Sequence, residues 1–221
     1  MKQGIVIVTW SGGKAQFETL INSIKDTHYP IIVVVNDAPN ADNAWLSAIS
    51  NNYLVFQMPW DGFELGAIQT VLQNTVLDEF ILLQDTFEIL DISIFDILFN
   101  NYPGQSVAYN PHFQMYLGKF RREVLKKLSI PEVRNKIDAI RQEEQFTNAY
   151  KAIEPVVIFN PSFRDENFYG SWEERWGRKN LVLRDQYLIK RKGTWDANQL
   201  IKEDGQAAPF RIGKVGETPW Q

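Results

Sequence analysis

The chain has 221 residues, 44% of them hydrophobic, enough for one large core and too many for a disordered polypeptide. A net charge of −4 and a pI of about 5.3 argue against the basic face of a dedicated nucleic-acid binder, while a local positive pocket stays open. With no cysteine and two histidines, His28 and His112, the sequence excludes disulfides, a thiol nucleophile and a Cys- or multi-His metal centre.

In chain order, residues 4–10 form an apolar, β-branched run that predicts a first strand, followed by the loop Ser11-Gly12-Gly13. Phe17, Leu20, Ile21 and Ile24 recur at helical spacing and predict a helix over 14–25. Residues 31–35 are a second buried strand that ends in Asn36-Asp37-Ala38-Pro39. A short helix over 45–49, a strand over 53–57 and a helix over 64–77 follow, and then the apolar run 80–83. Alternating strands and helices predict a parallel sheet with right-handed crossovers.

The second half is less regular. It predicts a helix over 91–99, strands over 106–109 and 112–117, and Gly118-Lys119-Phe120 leading into a helix over 121–128. Residues 132–152 read as helical in one or two pieces, and 156–159 as a late strand. From Asn160 onward the chain is polar, with Trp172, Trp176 and Trp195 interspersed, and its last dozen residues, rich in glycine and proline, are expected to be loose. No apolar run approaches the ~20 residues that span a bilayer, and the N-terminus lacks the pattern of a signal peptide, so a soluble, cytoplasmic protein is expected.

The run 80–83 ends abruptly in Gln84-Asp85-Thr86, followed by Glu88. Ligands of open α/β sheets bind beyond the carboxyl ends of such strands. A carboxylate there suits Mg²⁺ or Mn²⁺ holding a diphosphate, or caps a helix.

The order of elements, with four strand- and helix-end clusters, resembles the nucleotide-sugar glycosyltransferases of the GT-A fold, and most of all glycosyltransferase family 2. The likeness runs from about Gly4 to Ala152. The resemblance implies that the edge carrying Thr9 and Trp10 lies against the nucleotide base, although Trp10 also suits a core. It places Asp37 on the acid that accepts from the base imide, with Asn36 in place of a first acid; a simple turn is the other reading. It places Asp85 on the one remaining metal-binding aspartate, with Gln84 beside it on the nucleotide side. In Arg141-Gln142-Glu143-Glu144, Glu144 falls on the general base, with Glu143 adjacent; two acids on a solvated helix fit equally. Gly66 resembles the glycine before the donor-side helix, and Arg178, or Lys179 beside it, would neutralise the departing diphosphate. His112 reads as structural.

The expectation is therefore an α/β, GT-A-like (Rossmann-like) fold: a mostly parallel central sheet flanked by helices, with a less regular C-terminal region. Residues 1–160 would form the core and 161–221 an extension packed on it. The resemblance implies an inverting glycosyltransferase. It would move a sugar from a UDP-linked donor to a glycan, lipid-linked or protein hydroxyl, with Mn²⁺ or Mg²⁺ as cofactor. Two other readings fit the same residues: a sugar-phosphate nucleotidyltransferase, and a non-catalytic nucleotide-sugar-binding module.

Overall fold

The computed structural model describes residues 1–110, 117–134, 136–163 and 181–192. The first half alternates as the sequence predicts. β1 (Gln3–Trp10), α1 (Lys14–Ile24), β2 (Ile31–Asn36), α2 (Asn43–Ser50), β3 (Leu54–Gln57), α3 (Phe63–Asn74) and β4 (Glu79–Gln84) follow one another. β5 (Phe87–Ile89), α4 (Ser93–Asn100), β6 (Ser106–Ala108), β7 (Leu117–Arg121), α5 (Arg122–Leu125), α6 (Lys136–Ile153), β8 (Val156–Ile158), β9 (Leu181–Arg184) and β10 (Leu188–Lys192) complete the described elements.

Seven strands make the central sheet, in the order β3-β2-β1-β4-β7-β6-β8. β1 pairs in parallel with β2 and with β4, and β2 with β3. β7 runs antiparallel to both β4 and β6, and β8 is parallel to β6. The sheet is thus mostly parallel with one reversed strand, and helices cover both faces. Ile5, Ile7, Val33, Val35, Ile81 and Leu83 pack under α1, α2 and α4. Val6, Val8, Val34, Phe80, Leu82 and Phe120 pack under α3, α5 and α6. Both faces are dry, which is why these strands read as continuous apolar runs and not as alternating ones.

β5, β10 and β9 form a second, antiparallel sheet beyond the end of β4. Its hairpin comes from the polar C-terminal region, and no expectation assigned strands there. Asp185 holds the hairpin turn: its Oδ1 accepts from the backbone N–H of Tyr187 and Leu188 at 2.8 and 3.0 Å. Its Oδ2 accepts from Asn160 Nδ2 at 2.8 Å and from the Tyr109 hydroxyl. Burial first, and then Asp185, push the Tyr109 hydroxyl pKa upward, so it stays a donor.

One expectation needs correction. Gly118-Lys119-Phe120 is the middle of β7, and the helix it leads into is Arg122–Leu125, not 121–128. The Lys119 side chain is fully buried and sits 3.6 Å from the buried Glu79 carboxylate. It also donates to the carbonyl of Tyr102, so the ammonium can be accommodated inside the sheet. The strand expected over 112–117 falls mostly outside the described residues; Leu117 begins β7.

Removing one partner of a buried pair strands the other charge. Lys119→Met should therefore lower stability by about 3–5 kcal/mol, and combining it with Glu79→Leu should recover most of that loss. Urea denaturation of the single and double variants measures the coupling.

Candidate functional site

The carboxyl ends of β1, β2 and β4 come level with one another, because Trp10 pairs with Asn36 and Val8 with Gln84. Asp85 follows Gln84, and its backbone N–H donates to the Val8 carbonyl at 3.0 Å. That bond sets Asp85 beside Thr9, whose Oγ1 donates to Asp85 Oδ2 at 2.8 Å. Asp85 is 7% exposed and Thr9 is 2% exposed. The carboxylate lies over Gly13, at the start of α1. A Cβ on Gly13 would overlap Asp85 Oδ2 and would also meet Thr9 Oγ1 at 2.6 Å. Desolvation, only partly offset by Thr9 and Lys190, raises the Asp85 pKa to about 7.

The side chains beside Asp85 form a connected polar cluster. Gln84 Nε2 donates to Glu64 at the start of α3, while Gln84 Oε1 accepts from the ammonium of Lys190. Lys190 comes from β10, is 2% exposed and also donates to Thr86 Oγ1. Its Nζ lies 4.5 Å from the centre of the Phe87 ring. Sequence reading missed both Lys190 and Glu64. Glu64 follows a glycine at a helix start, a weak signal; Lys190 carried none, since only the strand pairing brings it to the end of β4.

Asp37 opens a short 3-10 turn with φ 53°, a left-handed conformation that aspartate tolerates. Its Oδ2 accepts from Ser11 Oγ at 3.1 Å and its Oδ1 from Asn40 Nδ2 at 2.8 Å. Asn36, in place of a first acid, is buried, and its Oδ1 accepts from the Gly62 N–H at 3.1 Å. The backbone N–H of Asp37 donates to the Trp60 carbonyl at 3.0 Å. These bonds pull the 58–62 loop over the end of β2. Phe63, just past that loop, also has positive φ, at 51°. A bulky residue there stores of order 1–3 kcal/mol of strain, which the loop's anchoring to Asn36 and Asp37 holds in place. Trp60 is 37% exposed beside Asp37, and the Arg134 guanidinium lies 5.2 Å from its ring centre. The sequence expectation passed over this indole, although an exposed tryptophan between a strand and a helix is a recognisable stacking platform.

The other expected residues take different places. Trp10 is half-buried, and its ring packs on the Gly12-Gly13 turn. Gly66 lies inside α3, where an added Cβ would meet Met58 Cε at 2.7 Å, so its missing side chain makes room for Met58. Glu143 and Glu144 stand mid-way along α6, Glu143 half-buried and Glu144 exposed. Tyr150, on the same helix, accepts from the Arg121 N–H at 3.1 Å at the opposite end of the sheet. At 1.5 Å per residue, Glu144 lies about 9 Å along α6 from Tyr150 and about 12 Å from the helix start. Arg178, Lys179 and His112 lie outside the described residues.

Asp85 offers a divalent ion one carboxylate, so phosphate oxygens and water would have to complete its shell. The one carboxylate faces inward to Thr9, and the flanking amide and hydroxyl already receive an ammonium. Among the described residues, no three His, Asp or Glu side chains converge to hold a metal. Mg²⁺ in particular keeps several waters and takes one or two carboxylates together with substrate phosphates. A surface depression lined by Asp78, Glu79, Arg121, Arg122 and Lys126 lies at the other end of β4. Arg121 is bound there by Glu154 and Glu123, and Arg122 by the carbonyls of Leu72, Thr75 and Leu77, so both are structural cations.

No protein-family model and no curated protein matches the chain. Solved structures do. A cytidylyltransferase from Leptospira borgpetersenii serovar Hardjo-bovis superposes with a TM-score of 0.54 at 17% identity, over 75% of this chain and 78% of that one. A mannosyltransferase from Pyrobaculum calidifontis, in complex with GDP-Man and Mn²⁺, gives 0.52 at 14% identity, over 73% of this chain and 55% of that one. A CMP:2-keto-3-deoxy-manno-octonic acid synthetase complexed with CTP gives 0.52 at 11%, over 72% and 89%. At these identities the likeness is one of fold: the chain has the GT-A-like α/β architecture that these nucleotidyl- and glycosyltransferases share. No described helix is long and apolar enough to cross a membrane.

Two outcomes test the geometry around Asp85. Its pKa is raised on folding, so the stability that its protonated form supplies is present below about pH 4 and lost as pH rises through 7. Asp85→Asn should match the parent near pH 4 and exceed it by about 2–4 kcal/mol at pH 8, in denaturation curves recorded across that range. Gly13→Ala forces a methyl group into Asp85 and Thr9 and should cost about 1–3 kcal/mol.

Proposed function

We propose that this chain is a transferase that binds a nucleotide-diphosphate sugar across the carboxyl ends of β1, β2 and β4 and passes the sugar to an acceptor hydroxyl. The observation that carries this reading is the arrangement at the end of β2. Asp37 is held by Ser11 and Asn40, with the exposed Trp60 tied to its backbone. An aspartate fixed by two donors keeps lone pairs for a base N–H, and an adjacent indole supplies a face for the ring. Thr9 and Trp10 lie one strand away, on the side where the diphosphate would run toward Gln84 and Asp85. The sugar nucleotide named by the sequence reading is UDP-linked. The first discriminating panel is UDP, GDP and CDP with their sugar conjugates.

Glycosyl transfer is favoured over nucleotidyl transfer by the Ser11-Gly12-Gly13 loop. A nucleotidyltransferase needs an open glycine-rich loop whose N–H groups wrap a triphosphate. Here Gly13 N–H donates to the Trp10 carbonyl at 2.9 Å, which closes a tight turn. The turn is filled by the Trp10 ring on one side and by the Asp85 carboxylate on the other. The chemistry assigned to the chain's own residues is base recognition at Asp37 and Trp60, and placement of the diphosphate beside Thr9 and Gln84. No step of this reading runs through a metal ion or through Glu143 and Glu144.

The test is product analysis. With nucleotide sugars and a panel of sugar, lipid and peptide hydroxyl acceptors, the chain should release nucleoside diphosphate. With sugar 1-phosphate and nucleoside triphosphate it should release no pyrophosphate; pyrophosphate release would instead establish the nucleotidyltransferase reading. Donor binding with no transfer across the whole panel would reduce the chain to a binding module. Asp37→Ala should weaken nucleotide binding about 10- to 100-fold in calorimetry, the worth of one charge-assisted hydrogen bond.

A further inference from the structure

We propose that the nucleobase of the donor is held in a slot between the Trp60 indole and the Arg134 guanidinium, with Arg134 closing over the base from the segment that precedes α6. This rests on the nucleotide-binding reading above and adds the second wall of the base site.

Three observations carry it. First, the central carbon of the Arg134 guanidinium lies over the Trp60 ring, 5.2 Å from its centre, and Trp60 is the exposed indole whose backbone carbonyl accepts from the Asp37 N–H. A cation over an exposed ring face is held weakly, so a flat ligand can part the two. Second, the other bonds of Arg134 leave the faces of its guanidinium for stacking. Nε and one Nη nitrogen meet Glu132 Oε1 at 2.7 and 2.6 Å. The donors of a guanidinium lie in its plane, so this pair uses the edge of the group. Both side chains are more than half exposed, and the pair orients the guanidinium without burying it. Third, both walls are anchored. Val133, between Glu132 and Arg134, is buried in the same core cluster as Met58 and Phe63, which bracket the loop that carries Trp60. That loop is held in turn by Asn36 and Asp37. Two fixed backbones therefore present one ring and one movable planar cation to each other.

A base stacked on both walls needs them roughly 7 Å apart, two ordinary contact distances. The guanidinium would retreat by only about 2 Å, a small movement for an exposed arginine side chain. The exchange replaces one indole–cation contact by an indole–base and a base–cation contact, and bases stack on aromatic rings and on arginine planes alike. Stacking grips the two faces of the base and tolerates any base. Asp37, fixed by Ser11 and Asn40, is left to read the edge. No covalent bond forms or breaks in this step.

The experiment is calorimetric titration of the full chain with UDP, GDP and CDP, and then with the nucleoside of whichever binds. Arg134→Ala should weaken binding of that diphosphate about three- to thirtyfold, and of its nucleoside by the same factor, because the lost contact is to the base. Arg134→Lys, which keeps the charge and loses the plane, should recover little of the loss. A loss confined to the diphosphate, or full recovery by Arg134→Lys, makes Arg134 a phosphate-binding cation and overturns the slot. Tighter binding by Arg134→Ala makes it a cover that the base must displace, and unchanged binding removes it from the site; both overturn the slot as well. In all of these cases the nucleotide-binding reading stands. Binding of no nucleotide by the parent chain overturns both. Where the nucleoside alone is too weak to titrate, the comparison of Arg134→Ala with Arg134→Lys on the diphosphate decides the matter. Arg134 is 67% exposed, so both variants should keep the parent's melting temperature, which checks that they fold.

Discussion

A carboxylate buried at the end of a central strand is costly, and the architecture around β4 is organised by the way that cost is met. Asp85 follows an apolar strand closed on both faces, so its oxygens have little water to turn to. Thr9 answers one oxygen from the neighbouring strand, Gly13 brings the start of α1 close, and Lys190 supplies a compensating charge from across the second sheet. Each of these partners belongs to a different element. Their joint presence fixes the register of β1 against β4, the seating of α1 and the docking of the β9–β10 hairpin.

The opposite end of β4 repeats the problem with different chemistry. There Glu79 and Lys119 form a buried pair bridging β4 and the reversed strand β7, with Gln3 donating from β1 at 3.0 Å. The two ends differ in what surrounds them. The Glu79 end is closed by Arg121, Arg122 and Glu154, whose bonds go to side chains and carbonyls of the protein itself. On the Asp85 side lie the partly exposed Trp60 and the positive-φ turns at Asp37 and Phe63. Stability is concentrated at one end of the sheet and the candidate chemistry at the other.

The architecture is shared with nucleotidyl- and glycosyltransferases, but architecture does not by itself assign a reaction. At the end of β4 the positions on either side of Asp85 are an amide and a hydroxyl, both of which hold an ammonium.

The sequence by itself determined the first half of the fold, because strands buried on both faces and helices buried on one leave unmistakable runs and periods: residues 31–35, 80–83 and the Phe17 to Ile24 stripe are all where their patterns place them. It also marked Thr9, Asp37 and Asp85 as groups at strand ends, since an abrupt change from apolar to polar is visible in one dimension. It ran the helix after Phe120 on to Leu128, where only Arg122–Leu125 is helical, and it gave no sign that Lys119 is buried against Glu79. It set Glu144 in the site on a local pair of acids, and the helix places that residue about 9 Å along α6 from Tyr150. Lys190 was invisible for the same reason. Its role depends on a non-local strand pairing between distant parts of the chain, and no local pattern of charge or hydropathy records which strand end a residue in a polar C-terminal segment will meet.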